Sequence, residues 1–302
     1  MKLAITGATG FLGRYIVRAA LQAGHACRCW YRSEQSRIRL EDLDDGIEWV
    51  HGELRKADTA FELVRGCDAL VHAALYRAGT SFRGGEGDLL TFTDKNVLGS
   101  LELFEAAFHQ DVRRIVYISS CAVHERILDD RPLDETHPLW PLTHYGAHKA
   151  AVEKFVHSFG YGQGRPICAL RPTGIYGIAS PPRASKWFDL VQRVVRGEPV
   201  ECRRGGKEVH AADVAKAVLL LLNAPEEAIR GEAFNCYDMY VSEYDVATIA
   251  AELVGHSPPI EGGPTRPKHQ IVTEKIRRLG MQFGGEPLLR ETIAQLVAEA
   301  SQ

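Results

Sequence analysis

The chain has 302 residues, 45% of them apolar and 25% charged, with a formal net charge of −3. These values describe a soluble globular protein, one large α/β domain or a domain plus a lobe. They give no reason to expect nucleic acid or an anionic membrane as a partner.

No run approaches the roughly 18 apolar residues of a membrane span. The seven cysteines, at 27, 29, 67, 121, 168, 202 and 236, are odd in number and scattered. That suits a reduced, cytoplasmic chain better than a disulfide framework. Cys27-x-Cys29 sits in a strand-like run with no second pair nearby, so no metal site is expected.

The first 175 residues alternate strand and helix. Lys2–Thr6 reads as the opening strand, which leaves no room for a signal peptide. Strand-like runs follow at Ala26–Tyr31, Ile47–His51, Ala69–His72, Ile115–Ser119 and Ile167–Leu170. Helical patterns lie between several of them, at Phe11–Ala23, Thr59–Val64, Asn96–Phe108 and Tyr145–Phe159. Short apolar strands alternating with helices imply a doubly wound parallel sheet, a Rossmann fold, joined by right-handed crossovers. After Tyr176 the regularity fades into Pro181-Pro182, Gly197-Glu198-Pro199 and Gly205-Gly206. Helix-like stretches return at Asp213–Leu222, Glu243–Leu253 and Pro287–Ala300. The expected division is a dinucleotide-binding domain over 1–175 and a smaller C-terminal substrate-binding lobe over 176–302.

The first turn carries chemistry. In Gly7-Ala8-Thr9-Gly10-Phe11-Leu12-Gly13, Gly7 permits a tight turn, Gly10 lets the backbone approach a pyrophosphate, and Gly13 lets helix and strand pack closely. The helix N-terminus offers N–H groups and a partial positive charge to phosphates. A glycine triplet gains weight when it follows a strand and opens a helix, as here. NAD is usually marked by an acid about 20 residues beyond the turn. Here the second strand ends Trp30-Tyr31-Arg32-Ser33, with no acid at its tip. Arg32 is placed to fork onto a 2′-phosphate, with Ser33, Arg37 or Arg14 as helpers, so NADP(H) is favoured and NAD(H) is the alternative. The plain reading of Arg32 is a solvated loop charge.

Tyr145 and Lys149 fall four apart on one helix face. An ammonium one turn away lowers the pKa of a phenol, which can then trade a proton with a substrate hydroxyl or carbonyl. Such a pair is often only a surface contact. Ser119-Ser120 changes the weighing, because it ends the Ile115–Ile118 strand, where open α/β sheets bind ligands.

Taken together, these motifs resemble the extended short-chain dehydrogenase/reductase superfamily, in its NAD(P)-dependent epimerase/dehydratase family. The resemblance runs through the glycine turn, Gly52-Glu53-Leu54, His72-Ala73-Ala74, Asn96, Ser119-Ser120, Tyr145 with Lys149, and Arg171-Pro172. It continues more loosely through Gly174-Ile175-Tyr176-Gly177 and His210-Ala211-Ala212-Asp213-Val214-Ala215. It implies that Ser120 is the catalytic hydroxyl beside Tyr145 and Lys149, and that Ser119 lines the cofactor. It further implies that Lys149 bonds the nicotinamide ribose, Glu53 and Leu54 flank the adenine, Ala73 and Ala74 border the middle of the cofactor, and Pro172-Thr173 meet the nicotinamide amide. Asn96 would steady the central helix, although for Glu53 and Asn96 backbone capping is an equal reading. A homodimer through the Asn96–Phe108 and Tyr145–Phe159 helices is also implied. Leu98, Leu101, Phe104 and Phe108 offer more apolar surface than one buried face needs.

Departures from the family pattern shape the functional expectation. His124 replaces the tyrosine that often follows the serine motif, and a hydrogen-bonded loop histidine is its ordinary reading. Cys121-Ala122 stands where dehydratase members carry an acid pair. Some epimerising members use a cysteine at position 121 as acid/base, but the histidine they carry after Tyr-Gly is replaced within Ile178-Ala179-Ser180-Pro181. The arginine that sugar-nucleotide members place before His-x-x-Asp is missing around Lys207-Glu208-Val209, leaving Arg203, Arg204 and Lys207 as candidate diphosphate clamps. The leading expectation is an NADP(H)-dependent oxidoreductase acting on a carbonyl or alcohol of a small-molecule substrate. A nucleotide-sugar epimerase with retained cofactor and a non-catalytic NADP-sensing protein are the alternatives.

Overall fold

The computed structural model describes residues 1–37, 40, 46–79, 84–256 and 258–302. Its strands are β1 Lys2–Thr6, β2 Ala26–Tyr31, β3 Ile47–His51, β4 Ala69–His72, β5 Arg114–Ile118, β6 Ile167–Pro172, β7 Gly174–Tyr176, β8 Val200–Cys202, β9 Gly205–His210, β10 Ala233–Cys236, β11 Met239–Ser242 and β12 Ile260–Gly262. Its α-helices are α1 Phe11–Gln22, α2 Glu34–Arg37, α3 Ala57–Val64, α4 Leu89–Thr93, α5 Gly99–His109, α6 His144–His157, α7 Phe188–Val195, α8 Ala211–Asn223, α9 Glu226–Ile229, α10 Glu243–Val254, α11 Glu274–Arg278 and α12 Gly285–Ala300.

Seven strands form one sheet in the order β10-β6-β5-β4-β1-β2-β3, and every pairing in it is parallel. The order reverses between β1 and β4, the topological switch point at whose carboxyl ends open sheets take ligands. The doubly wound fold expected from the alternation is therefore present. A seventh strand joins it, because Ala233–Cys236 pairs with β6. The chain divides into two compact units, and not by a single cut after residue 175. Unit 1 is Met1–Pro172, Val214–Cys236 and Ile271–Met281; unit 2 is Thr173–Asp213, Tyr237–Gln270 and Gln282–Gln302. In unit 2 a three-stranded sheet runs β11-β9-β7 and a pair runs β12-β8. Its core gathers Phe188, Val191 and Val194 of α7 with Val246 and Ala250 of α10 and Ile293 and Leu296 of α12.

Unit 1 buries both faces of its sheet, which is why β1 and β4 to β6 read as near-continuous apolar runs. Leu3, Ile5, Leu70, Ile115, Val116, Ile167 and Leu170 have no exposed surface. Each such side chain contributes about 1.5–3 kcal/mol. On α5, Phe104 and Phe108 turn inward and pack on Phe159, with ring centroids 6.3 and 5.0 Å from it. Of the four apolar residues expected to supply surplus surface, only Leu98 is exposed, and Leu101 is half-buried. The surplus is smaller than the pattern suggested because the bulky β5–α6 side of the core needs both phenylalanines.

A buried polar chain fixes the carboxyl ends of β1 and β4. Thr6 Oγ1 accepts the backbone N–H groups of Ala73 and Ala74, each at 3.1 Å, so its own proton goes to His72 Nδ1 at 2.7 Å. His72 Nε2–H then donates to Ser100 Oγ at 2.8 Å, and Ser100 donates to the Asn96 carbonyl at 2.5 Å. Asn96 lies in a π-helical turn, Asp94–Leu98. Its amide clasps Tyr76 by accepting the backbone N–H at 2.8 Å and donating to the carbonyl at 3.0 Å. The sequence's capping role for Asn96 is thus realised on Tyr76 and on the Phe92 carbonyl, to which it also donates.

Two tests follow from this packing. A Cβ on Gly13 would stand 2.0 Å from the Gly7 carbonyl oxygen, whereas one on Gly162 would meet nothing within 4 Å. Gly13→Ala should lower stability by about 1–3 kcal/mol in urea unfolding, and Gly162→Ala should be near neutral; equal effects would refute the close-packing account. The second test uses pH. Burial lowers His72 and His124 to a pKa of about 3 and His148 to about 2. Between pH 6.5 and those values the unfolded chain takes protons that the folded chain refuses, so stability falls as pH drops through that window. Each such histidine contributes a slope of up to about 1.4 kcal/mol per pH unit. Unfolding measured at pH 7 and 5 should show the loss, and His72→Gln should reduce the slope by about one proton's worth.

Candidate functional site

Strand β1 ends in the glycine turn. Gly7 has φ +70°, and a Cβ there would lie 2.7 Å from the Ala73 carbonyl carbon and 2.8 Å from the Ala74 nitrogen. The first glycine therefore serves both the turn and a close approach to the Ala73-Ala74 backbone. Gly10 N–H donates to Gly7 O at 3.0 Å, and Gly10 is the N-cap of α1. With no side chain on the cap, the first-turn N–H groups stay available to an anion. Thr9, Phe11 and Leu12 border the same turn and are half-buried. Gly13 allows α1 to settle on Gly7 and Ala8. A strand-to-helix turn whose N-cap carries no side chain and whose first-turn N–H groups are available fits the pyrophosphate of a dinucleotide.

At the outer end of that sheet, Arg32 follows β2 with its side chain exposed, and its carbonyl is bonded to His51 at 3.2 Å. Arg37, weighed as its helper, pairs with Glu34 at 2.9 Å and stacks over Tyr31 and Trp49 at 5.2 and 5.7 Å. Glu53 is ion-paired with Lys56 at 2.8 Å. That bond holds its carboxyl below the usual range, with Arg32 among the lesser contributors. The Leu54 side chain belongs to the core and lies under Gly99.

The second cluster forms where β5 ends against α6. Ser120 is the N-cap of a 3-10 turn, Cys121–Val123, and its Oγ accepts the Ala122 N–H at 3.1 Å. Thr143 caps α6 by accepting the Gly146 N–H. A Cβ on Gly146 would stand 2.4 Å from the Ala122 carbonyl oxygen. Glycine at 146 thus brings the first turn of α6, with Tyr145, directly onto the turn that Ser120 caps. Tyr145 is half-buried, with its ring 5.3 Å from that of His148. One turn further, Lys149 is 5% exposed. Its Nζ donates to the Ile118 carbonyl at 2.7 Å and lies 4.7 Å from the Tyr117 ring centroid. Burial lowers its pKa to about 7, against the pull of Glu153.

Beneath this cluster lies a network that sequence reasoning missed. Glu153, a further turn along α6, pairs with Arg171 of β6 at 2.6 Å, and both are at most 1% exposed. Ser119 Oγ donates to Glu153, and Arg171 donates to His124 Nε2 at 3.2 Å and to the Glu135 carbonyl at 3.3 Å. His124 Nδ1–H donates to the Pro138 carbonyl at 3.3 Å. Both ring nitrogens of His124 are therefore engaged, as the loop-histidine reading expects. Cys121 Sγ donates to the Arg171 carbonyl at 3.0 Å. Arg171 appeared in the sequence only as part of a motif; its spacing to Glu153 gave no sign of the pair. Pro172 closes β6. Thr173, the first residue of unit 2, keeps a buried Oγ1 with no hydrogen-bond partner among the described residues. Of the candidate diphosphate clamps, Arg203 pairs with Glu201, and Arg204 Nε with Glu243 at 3.1 Å.

The model of the NAD dependent epimerase/dehydratase family matches residues 3–236. A Stigmatella aurantiaca protein, 4-hydroxy-2-methyl-3-oxo-4-farnesyl-3,4-dihydroquinoline-1-oxide ketoreductase, is 32% identical over 243 residues, 78% of this chain and 67% of its own. A dTDP-glucose 4,6-dehydratase of Streptomyces niveus is 27% identical over 298 residues, 92% of this chain and 86% of its own. The crystal structure of UDP-glucuronic acid 4-epimerase from Bacillus cereus, in complex with UDP-glucuronic acid and NAD, shares the fold at 19% identity. Its TM-score is 0.80 over 100% of this chain and 99% of that one. Among the described residues no helix is long and apolar enough to cross a membrane. The chain belongs to the NAD dependent epimerase/dehydratase family, enzymes of the extended short-chain dehydrogenase type.

Proposed function

We propose that the protein is an NADP(H)-dependent oxidoreductase that interconverts a carbonyl and an alcohol on a small-molecule substrate, through Ser120, Tyr145 and Lys149. The observation that carries this reading is Lys149: a buried ammonium held on the Ile118 carbonyl, one turn from half-buried Tyr145. A desolvated cation there stabilises a phenolate, so Tyr145 gives its proton to a carbonyl oxygen at neutral pH. Ser120 Oγ accepts the Ala122 N–H, which leaves its own proton available for donation to the same oxygen. Gly7, Thr9, Gly10, Phe11, Leu12 and Gly13 would hold the cofactor pyrophosphate. Ala73, Ala74 and Ser119 would border its middle, the Glu53-Leu54 backbone the adenine, and Pro172-Thr173 the nicotinamide amide. When bound, the nicotinamide supplies or accepts the hydride.

NADP(H) is favoured over NAD(H) because exposed Arg32 ends β2 with no acid at that tip. The ketoreductase relative supports the reductive direction. An epimerase acting on a nucleotide sugar is the second reading. It is less favoured because Arg203 and Arg204 are already tied to carboxylates. The seven free cysteines fit a reducing cytoplasm. A homodimer would rest on exposed Leu98, the last residue of the π-helical turn before α5, and exposed Phe155 of α6.

The tests separate catalysis from folding. Tyr145→Phe should fold and bind NADPH normally while carbonyl-dependent NADPH oxidation falls about 10²-fold or more. Lys149→Met should lower turnover and weaken cofactor binding, and Ser120→Ala should cost less. Retained turnover in a folded Tyr145→Phe protein refutes the assignment. Fluorescence titration should show tighter binding of NADPH than NADH, and Arg32→Ala should narrow the gap by weakening NADPH. Equal affinities in the parent protein would remove the NADP(H) preference. A reductase also consumes NADPH in proportion to product, whereas an epimerase does not.

A further inference from the structure

The segment that leads into α6 is held to the turn after β5 by a series of hydrogen bonds, all within unit 1. His124 Nδ1–H donates to the Pro138 carbonyl at 3.3 Å. Two residues on, the Trp140 carbonyl accepts the backbone N–H groups of Glu125 at 3.3 Å and Arg126 at 2.9 Å. The Arg126 guanidinium also lies 5.3 Å from the Trp140 ring centroid. The next tie is made by a half-buried side chain. Glu125 Oε2 accepts three donors: the Leu142 N–H at 2.5 Å, the Thr143 N–H at 2.9 Å and the Thr143 hydroxyl at 3.0 Å.

Thr143 is the N-cap of α6, and its Oγ1 accepts the Gly146 N–H at 3.1 Å. Because its proton goes to Glu125, the lone pair that caps the helix is turned toward Gly146. Gly146 in turn packs on Ala122, where an added Cβ would stand 2.4 Å from the carbonyl oxygen. The Ala122 N–H donates to Ser120 Oγ at 3.1 Å. Tyr145 lies between Thr143 and Gly146 in the chain, so both of its flanks are fixed to the stretch that presents Ser120. A carboxylate at this end of a 14-residue helix is also favoured by the helix dipole.

A helix cap by itself needs one acceptor, which Thr143 already supplies. Glu125 adds three charge-assisted bonds across that cap, and it reaches them from the end of the turn that carries Ser120. What these bonds fix is the relation of two segments, not α6 alone. We propose that Glu125 is a positioning residue for the reaction, acting through Thr143 to hold Tyr145 at a set separation from Ser120. This rests on the carbonyl-reductase reading and adds a residue outside the set of Ser120, Tyr145 and Lys149. A reacting group displaced by about 1 Å can lose about 10²-fold in rate, so such a hold is felt in kcat.

The test combines turnover with amide exchange. NADPH oxidation is followed with 9,10-phenanthrenequinone as the carbonyl probe, and deuterium uptake is read on the peptide spanning residues 143–149. Glu125→Ala should lower kcat about tenfold or more, with KM for the quinone and Kd for NADPH within about twofold of the parent. The amides of that peptide should exchange about tenfold faster in the variant. Glu125→Gln keeps an oxygen that accepts the same donors, and should restore most of the rate and the protection. Should Glu125→Ala fail to fold, Thr143→Val removes the linking hydroxyl and should lower kcat in the same way, and Thr143→Ser should restore it. Tyr145→Phe should lose turnover with unchanged exchange. Retained turnover there overturns the catalytic reading, whereas its loss beside an unaffected Glu125→Ala enzyme overturns this proposal alone. A Glu125→Gln variant as slow as Glu125→Ala, a rate loss without faster exchange, or a parent that oxidises no NADPH would also overturn it.

Discussion

The ion pair between Glu153 and Arg171 is where helix α6, strand β6 and the end of β5 are tied to one another. Both charges are stripped of water, so each depends on the other and on the hydrogen bonds around them. Glu153 takes a third donor from Ser119, and Arg171 spends its remaining N–H groups on His124 and the Glu135 carbonyl. Cys121 hangs from the Arg171 carbonyl. The result is that the turn bearing Ser119, Ser120 and Cys121 has little freedom. A pair of this kind adds modest net stability, since desolvating two charges offsets much of their attraction. What it supplies instead is a fixed relation between three elements, because any displacement would leave a buried charge uncompensated.

Tyr145, Lys149 and Glu153 recur every four residues and so share one face of α6. Along that face the environment changes from half-buried at Tyr145 to fully dry at Glu153. Lys149 sits between. Its burial alone would drive it neutral, and Glu153, the Ile118 carbonyl and the Tyr117 ring each favour the charged form. An ammonium poised in this way responds strongly to a negative charge arriving nearby. A phenolate at Tyr145 is such a charge. The helix thus sets Tyr145 at the wetter end of a gradient of burial, with Lys149 between it and the dry Glu153.

The parallel sheet was legible because unit 1 buries both faces, which leaves an unmistakable alternation of apolar runs and helical periods over the first 175 residues. Strand β10 escaped because Ala233–Cys236 is four residues long and follows β6 after some 60 residues of other structure. The interleaving of the two units escaped for the same reason: periodicity describes neighbours in sequence, not partners across a sheet. The glycines were readable individually, since a missing Cβ has a local cause. Glu153 with Arg171, and Glu208 over Gly174 and Gly206, were not. Each depends on side chains that only the pairing of strands and helices brings together. Phe104 and Phe108 show the opposite failure, where apolar spacing was visible but the direction each ring would take was not.

The two units divide the chemistry unequally. Unit 1 carries the glycine cradle, the polar chain from Thr6 to Asn96, and the cluster of Ser120, Tyr145 and Lys149. In the proposed reaction these groups act on the cofactor or the reacting atoms, and so do not distinguish one carbonyl compound from another. Discrimination therefore has to come from groups without a part in the proton transfer. In unit 2 the charged groups differ in kind. Arg203 and Arg204 are exposed cations already neutralised by Glu201 and Glu243, so recruiting them to an anionic substrate would mean breaking existing pairs. Glu208, by contrast, is buried, and Lys186 donates to its Oε1.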